Sequence, residues 1–240
     1  MFKHKGKNRT DRHNTGIASL LSFIAGIVNV VGFLAVARLT TNVTGHFAYF
    51  VEEVLAWQLW KGFVYFLYIL FFFLGSFFSN LIVELVSRKK EHDVYSIPVL
   101  IECSILLAVG IFGQPLITHH PDILAYALLF AMGIQNSLVT SISNSVVRTT
   151  HLTGLFTDLG IELSQLFFYV QAEQKIKLLT SVQLRLTIIG CFFAGGIVGG
   201  IAYSSMGLIV LSAAGCLLLM GLVYDYIILR IILLKRKLHH

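Results

Sequence analysis

The hydrophobic residues of this chain lie in long continuous runs that are separated by short polar segments. Several runs exceed the roughly 18 apolar residues that a helix needs to cross a hydrocarbon layer of about 30 Å. None shows the two-residue alternation of a membrane barrel strand. The pattern therefore predicts an all-α polytopic membrane protein with six transmembrane helices. The predicted spans are residues 16–37, 63–86, 97–113, 123–147, 186–204 and 208–229.

Two further apolar runs are shorter, and each follows a span after a short polar segment. The first contains Glu52 and Glu53, and its apolar part, residues 47–60, is only 14 residues long. As a helix it would measure about 21 Å, which is too short to cross a bilayer unaided. We therefore predict two short broken or re-entrant helices, at 45–60 and 155–170, and leave open whether they are re-entrant, interfacial or spanning. Two polar connections are predicted without a helix: a turn at 116–122 and a loop at 171–186.

A polar segment occurs twice, once behind the first span and once behind the fourth. Thr41-Asn42-Val43-Thr44-Gly45 and Thr150-His151-Leu152-Thr153-Gly154 both read Thr-x-x-Thr-Gly. Flanking residues match in the same order: Gly26 with Gly133, Asn29 with Asn136, Phe47 with Phe156, Glu53 with Glu162, and Gly75 with Gly195. The chain therefore reads as two copies of one three-span unit. The copies are residues 16–114 and 123–230, between a basic arm at 1–15 and a basic tail at 231–240.

The number of spans in each copy decides how the copies are related. Because three is odd, the second copy starts from the opposite side of the membrane. The first motif then enters from the outer face and the second from the inner face. The predicted fold is a 3+3 inverted repeat, which is the architecture of many secondary transporters with broken helices.

Composition and charge support this placement in a bilayer. Hydrophobic residues make up 56% of the chain and charged residues 12%, with a mean hydropathy of +0.80, which leaves too little polar surface for a soluble domain. Most of the 18 Lys and Arg residues lie in the arm, the tail and segments 87–95 and 171–186, which six spans put on one side. By the positive-inside rule that side is the cytoplasm, so both termini are cytoplasmic and His119 is external. The basic arm is interpreted as a topology signal, with binding to anionic lipid as the alternative.

The sequence lacks the usual signatures of catalysis and metal binding. Cys103, Cys191 and Cys216 stand alone in apolar segments, without the CxxC or Cys/His spacing of a metal site. No HExxH, Ser-His-Asp or Gly-rich phosphate-loop motif is present. We therefore expect no metal, no cofactor, no nucleic-acid partner and no enzymatic activity. The expected partners are the lipid bilayer and a small-molecule substrate, and a homo-oligomer is left open.

The repeated motif is the candidate binding site. Ahead of a short helix it offers hydroxyls, a glycine and the free N–H groups of a helix start, which together suit an anion or a carboxylate. For one copy, a helix break with an N-cap is the simpler interpretation, but two copies in inverted halves favour one site near the membrane midplane. The predicted binding residues are Asn29, Thr41, Thr44, Gly45, Gln135, Asn136, Thr150, Thr153 and Gly154.

Ionisable residues beside the motifs are candidates for proton coupling. Asp158 is the first candidate, because a carboxylate at membrane depth is functional by default, and His46 is the second, because histidine titrates near neutral pH. The alternatives are that Asp158 and Glu162 are solvated at the interface and that the amides within the spans only bond helix to helix. Arg148 either balances an anion or Asp158, or extends to the interface.

These residues resemble a known family. Gly26-x-x-Asn29, Thr44-Gly45, Gly133-Ile134-Gln135-Asn136 and the segment 148–160 are similar to the DUF1275 family (also called YoaK or UPF0700) of bacterial integral membrane proteins. The second-half motif carries more of the resemblance, because members of that family often have an acid at the position of Asn29 and Asn at that of His46. The resemblance implies a multi-pass protein of the bacterial inner (cytoplasmic) membrane with unknown function.

Three kinds of function are compatible with these patterns. The leading one is a small secondary transporter of a small anionic or zwitterionic metabolite. The others are a channel or pore lined by the hydroxyl-rich end of the fourth span, and a non-transporting scaffold or membrane-embedded enzyme acting on lipid. A carrier requires Gly45 and Gly154 close together near the midplane, a channel requires a continuous polar path, and a scaffold would pack both motifs shut.

Overall fold

The computed structural model describes residues 11–88, 94–143, 147–168 and 171–238, and the regular structure in these ranges is helical. The described elements, in chain order, are α1 (Asp11–Val36), α2 (Val43–Leu55), α3 (Leu59–Ser87), α4 (Ser96–Phe112), α5 (Gln114–His119), α6 (Pro121–Ser143), α7 (Leu152–Gln165), α8 (Ala172–Met206) and α9 (Ile209–Leu238).

Five of the described helices are long and apolar enough to cross a membrane: α1 from Thr15, α3, α6, α8, and α9 as far as Ile228. The helix α4 is also apolar but has only 17 residues. The all-α fold class and the multi-pass membrane character predicted from the sequence are therefore confirmed at this level.

The predicted loop at 171–186 is wrong, because α8 begins at Ala172 and runs without a break to Met206. Its first turns are polar but rich in good helix formers. Lys177 also bonds Glu173 one turn earlier at 2.7 Å. The basic residues of this segment are typical of a loop, but here they lie on a solvated extension of a long helix.

The predicted turn at 116–122 is also wrong in part, because α5 occupies Gln114–His119. Pro115 lies in the first turn of α5 and Pro121 is the first residue of α6. Proline is tolerated at these positions, where its missing N–H would have no helical partner. Only His120 between the two helices breaks the helical path.

The ends of the other predicted segments shift by a few residues. The last part of the basic arm belongs to α1, and the predicted tail is helical as far as Leu238. Both short helices begin earlier than predicted, so that Thr44-Gly45 and Thr153-Gly154 lie in their first turns rather than ahead of them. Residues 1–10, Lys89, Asn144 and Ser145 lie outside the described residues.

The long helices pack closely in two pairs, α1 with α8 and α3 with α6. A Cβ on Gly195 would lie 2.0 Å from the carbonyl oxygen of Phe23, and a Cβ on Gly75 would lie 2.1 Å from that of Phe130. A Cβ on Gly26 or on Gly133 would make the reciprocal contact, at 2.0 Å and 2.2 Å respectively from the carbonyl oxygen of a phenylalanine on the facing helix. Only glycine allows backbones to meet so closely, as at small-residue interfaces between membrane helices. These four are positions that the sequence matches between the halves.

The remaining helices complete the bundle around these pairs. α4 packs on α9 and α6, and α1 crosses α6. The short helix α2 lies against the start of α3, and α7 lies against the start of α8. Each half thus has a helical hairpin, α2–α3 in the first and α7–α8 in the second. Trp57 and Trp60 lie at the exposed end of the first hairpin, and Phe167 and Phe168 lie at the exposed end of the second.

Candidate functional site

The break after α1 folds back along the helix that precedes it. The hydroxyl of Thr41 donates to Oδ1 of Asn29 at 2.6 Å, and the hydroxyl of Thr40 donates to the carbonyl of Val28 at 3.0 Å. Ala37 has a positive φ of 52°, which lets the chain reverse at the end of the helix. The first threonine of the motif is therefore held at the level of Asn29, about two turns before the end of α1.

The break after α6 is held by an equivalent hydrogen bond. The hydroxyl of Thr150 donates to Oδ1 of Asn136 at 2.9 Å, and Nε2 of Gln135 lies 3.2 Å from the hydroxyl of Thr149. Thr149 and Gln135 occupy the positions that correspond to Thr40 and Val28. Each half thus ties its motif to the amide-bearing segment of its own first long helix.

The crossing of α1 and α6 fixes how far apart the motifs lie. Gln135 donates to the carbonyl of Leu21 at 2.9 Å, while a Cβ on Gly32 would meet Leu128 at 3.1 Å, so the helices run antiparallel. Asn136 is therefore level with about residue 21 of α1. Asn29 is eight residues further along, or about 12 Å at 1.5 Å per residue. The two motifs lie on either side of the crossing, and the single shared site stays a prediction.

The helix starts beside the two motifs differ in their caps. Oδ1 of Asn42 accepts the N–H of Gly45 at 3.1 Å and caps α2. His151 occupies the same position ahead of α7 but makes no side-chain cap bond there. Its ring instead covers Gly154, where a Cβ would lie 2.3 Å from Cδ2. The start of α7 therefore keeps N–H groups that no described side chain caps.

The predicted proton-coupling residue Asp158 lies in an ion pair. Arg185 of α8 contacts Asp158 at 2.9 Å and Glu162 at 2.8 Å, and the hydroxyl of Ser181 donates to Glu162 at 2.6 Å. Burial alone would raise the pKa of Glu162, but the bonds from Arg185 and Ser181 outweigh burial and lower it. The sequence did not indicate Arg185 as a partner, because this residue lies in the segment predicted to be a loop.

The first half has aromatic rings where the second has this ion pair. Tyr49 and Tyr65 correspond to Asp158 and Arg185, and their rings stack at 5.2 Å between centroids. The hairpins of the two halves are therefore similar in shape but different in chemistry.

His46, the second proton-coupling candidate, is buried against α3. Its Nε2 donates to the carbonyl of Leu39 at 2.5 Å, and its ring lies 4.6 Å from that of Tyr68. Burial lowers the pKa of His46, and the bond to Leu39 only partly offsets that effect. The imidazole is therefore neutral at physiological pH.

Next to His46 lies a polar cluster that the sequence did not indicate. Arg38 donates to the hydroxyl of Tyr68 at 3.1 Å, and that hydroxyl donates to Asp122. Arg38 also lies 3.8 Å from Asp122. The cluster joins the loop after α1 to α3 and to the start of α6. The corresponding positions of Arg38 and Tyr68 in the second half, Val147 and Ile188, are apolar and buried.

Comparison with known proteins gives one result. The family model described as "Protein of unknown function (DUF1275)" matches residues 17–224. A search of curated proteins and a search of solved structures both find no match. The match extends from α1 into α9 and includes both Thr-x-x-Thr-Gly motifs and both hairpins. The chain therefore belongs to the DUF1275 family.

Proposed function

We propose that this protein is a small secondary carrier for a small anionic or zwitterionic metabolite. The observation that carries the proposal is the repeated bond from the motif threonine to the span asparagine, Thr41 to Asn29 and Thr150 to Asn136. An inverted repeat would place such a bond at matched positions on two helices of opposite direction, and inverted repeats are the architecture of many secondary carriers.

The proposed topology has six spans, namely α1, α3, α4, α6, α8 and α9. At 17 residues, α4 measures about 25 Å, close to the lower limit for a span. The reciprocal pairing of α1 with α8 and of α3 with α6 supports a two-fold axis in the membrane plane, since such an axis exchanges the first helix of one half with that of the other. The proposed membrane is the bacterial inner membrane, with both termini in the cytoplasm.

The chemistry of the two breaks favours an anionic group in the ligand. In this proposal the starts of α2 and α7 face the crossing of α1 and α6 from opposite sides, and each carries a partial positive charge of about half a unit. His151 and Arg148 are exposed beside the second start and add donors for a carboxylate. In this proposal Thr44, Gly45, Thr153 and Gly154 contact the ligand.

Between the breaks, the packing favours a carrier over a channel. Ala25, Val28 and Met132, which lie at the crossing, have no exposed surface. Two hydroxyls near the end of α6 are engaged, since Ser141 bonds Asn80 at 3.4 Å and Ser143 caps the N–H of Val147 at 2.9 Å. An apolar crossing that separates two polar breaks suits a carrier that opens to one side at a time.

A ligand screen by thermal shift tests the proposal. Purified protein is screened against small carboxylates and amino acids, because a ligand at 100 times its dissociation constant stabilises the fold by about 2.7 kcal/mol. Gly154→Leu should abolish the shift, since the new side chain must displace the ring of His151. Gly160→Leu, on the same helix and with no atom within 4 Å of an added Cβ, should keep it. Unchanged binding by the Gly154 variant means that both motifs only break and cap helices.

A further inference from the structure

One ionisable side chain of α4 is buried without any partner. Glu102 has no exposed surface, and neither of its carboxyl oxygens has a hydrogen-bond partner among the described residues. An ionised carboxylate in such a place would lose its hydration without gaining a hydrogen bond or an ion pair. In this conformation Glu102 is therefore held as the neutral carboxylic acid.

Glu102 lies at the depth of the α1–α6 crossing. A Cβ on Gly221 would meet Leu20 at 2.5 Å, and a Cβ on Gly215 would meet the carbonyl oxygen of Cys103 at 3.2 Å. Because α9 runs antiparallel to α1, Gly215 is level with about residue 26 of α1. Glu102, next to Cys103, therefore lies between the levels of the two motif-bearing asparagines.

The charged groups nearest in the fold do not neutralise Glu102. The described ionisable side chains on the helices packed against α4 are Cys216, Tyr224, Asp225 and Tyr226 of α9, Asp122 and Tyr126 of α6, Tyr65, Tyr68, Glu84 and, at its exposed start, Lys61 of α3, and His119 of α5. Asp122 is bonded to Tyr68, and Asp122, Asp225 and Glu84 lie two or more helical turns from the level of Glu102. Cys216 lies on the exposed side of α9.

We propose that Glu102 is the proton-binding site of this protein, which rests on the carrier function proposed above. In the closed conformation the carboxyl keeps its proton. When the packing of α4 against α9 and α6 opens, the O–H bond breaks, the proton passes to entering water, and water solvates the carboxylate that remains. Closure of the bundle requires the proton to be taken up again. Asp158 is less suited to this role, because Arg185 pairs with it and its side chain is half exposed.

Dicyclohexylcarbodiimide, an apolar carbodiimide that adds to protonated carboxyl groups in membranes, tests the proposal. The full chain in liposomes is treated in buffers from acidic to alkaline, with and without sodium ions, and the adduct is mapped by mass spectrometry. An adduct on Glu102 is expected, with a rate that falls about tenfold per pH unit once the carboxyl begins to ionise. Sodium ions should not change the rate. The adduct should be lost in Glu102→Gln and kept in Asp158→Asn.

Each other result overturns the proposal. No adduct at any pH means that Glu102 is a static core residue, and a rate that does not change with pH means that its proton never leaves. Protection by sodium ions means that a metal cation is bound instead. Because the adduct is mapped on the wild-type chain, the test holds even if the glutamine variant fails to fold. It also needs no transported ligand, so its failure is distinct from a failure of the carrier proposal.

Discussion

Replacing Gly195 by alanine tests the close pairing of α1 and α8. The added Cβ would lie 2.0 Å from the carbonyl oxygen of Phe23 and 2.8 Å from its carbonyl carbon, whereas ordinary contacts begin at 3.4 Å. The clash is with the backbone, so no side-chain rotation relieves it and the helices must move apart by more than 1 Å. Overpacking of this kind costs about 1–3 kcal/mol, while alanine returns up to about 1 kcal/mol of helix propensity. The expected net effect is a loss of up to about 2 kcal/mol.

The matched control is Gly190→Ala on the same helix. No atom lies within 4 Å of a Cβ added there, so only the gain in propensity remains, and this variant should be as stable as the wild type or more stable by up to about 1 kcal/mol. Thermal unfolding of both variants in the same detergent measures the difference. Gly75→Ala, the equivalent change in α3, should behave like Gly195→Ala. Equal stability of the Gly195 and Gly190 variants would refute the backbone contact.

Three further predictions concern polar contacts. A double-mutant cycle with Asn29→Leu and Thr41→Val should give a coupling of about 0.6–2 kcal/mol in unfolding experiments; additive effects would show that the bond is absent. Arg185→Met should destabilise the protein by about 1.5–3 kcal/mol at neutral pH. The pKa of Glu162 is lowered in the folded state, so this stabilisation is present above the pKa of the unfolded state and is lost as the pH falls through the pKa of the folded state. The variant and the wild type should therefore become equally stable in acid. A difference that stays constant with pH would contradict the ion pair between Arg185 and Glu162. Tyr68→Phe should cost about 1.5–3 kcal/mol, since it removes a buried hydroxyl bonded to two charged groups; a neutral effect in the same assay would exclude that bond.

The sequence predicted the long helices and the paired motifs because both depend on local pattern. Apolar runs of membrane length identify a helix whatever it packs against. Asn29 and Thr41 were both selected as site residues, yet their mutual bond was not foreseen. That bond depends on the loop after α1 turning back, and the positive φ of Ala37 that permits this has no signature in the residue type.

The partners of the charged residues could not be predicted, because they come from distant parts of the chain. Arg185 is 23 residues from Glu162 and lies in a polar stretch whose helical continuation was not recognised. Arg38 and Asp122 meet only because α3 brings Tyr68 between them. Glu102 is one acid within an apolar run, and its lack of a partner among the described residues is a property of the packed bundle alone.

The sidedness of the two hairpins tests the inverted repeat most directly. Gln58 and Gln171 are exposed residues at the ends of the α2–α3 and α7–α8 hairpins. Single cysteines are placed there in a background without Cys103, Cys191 and Cys216, and a membrane-impermeant maleimide is applied to intact cells and to inverted vesicles. An inverted repeat predicts labelling at 58 from the outside only and at 171 from the cytoplasmic side only. Labelling of both positions from the same side would contradict it.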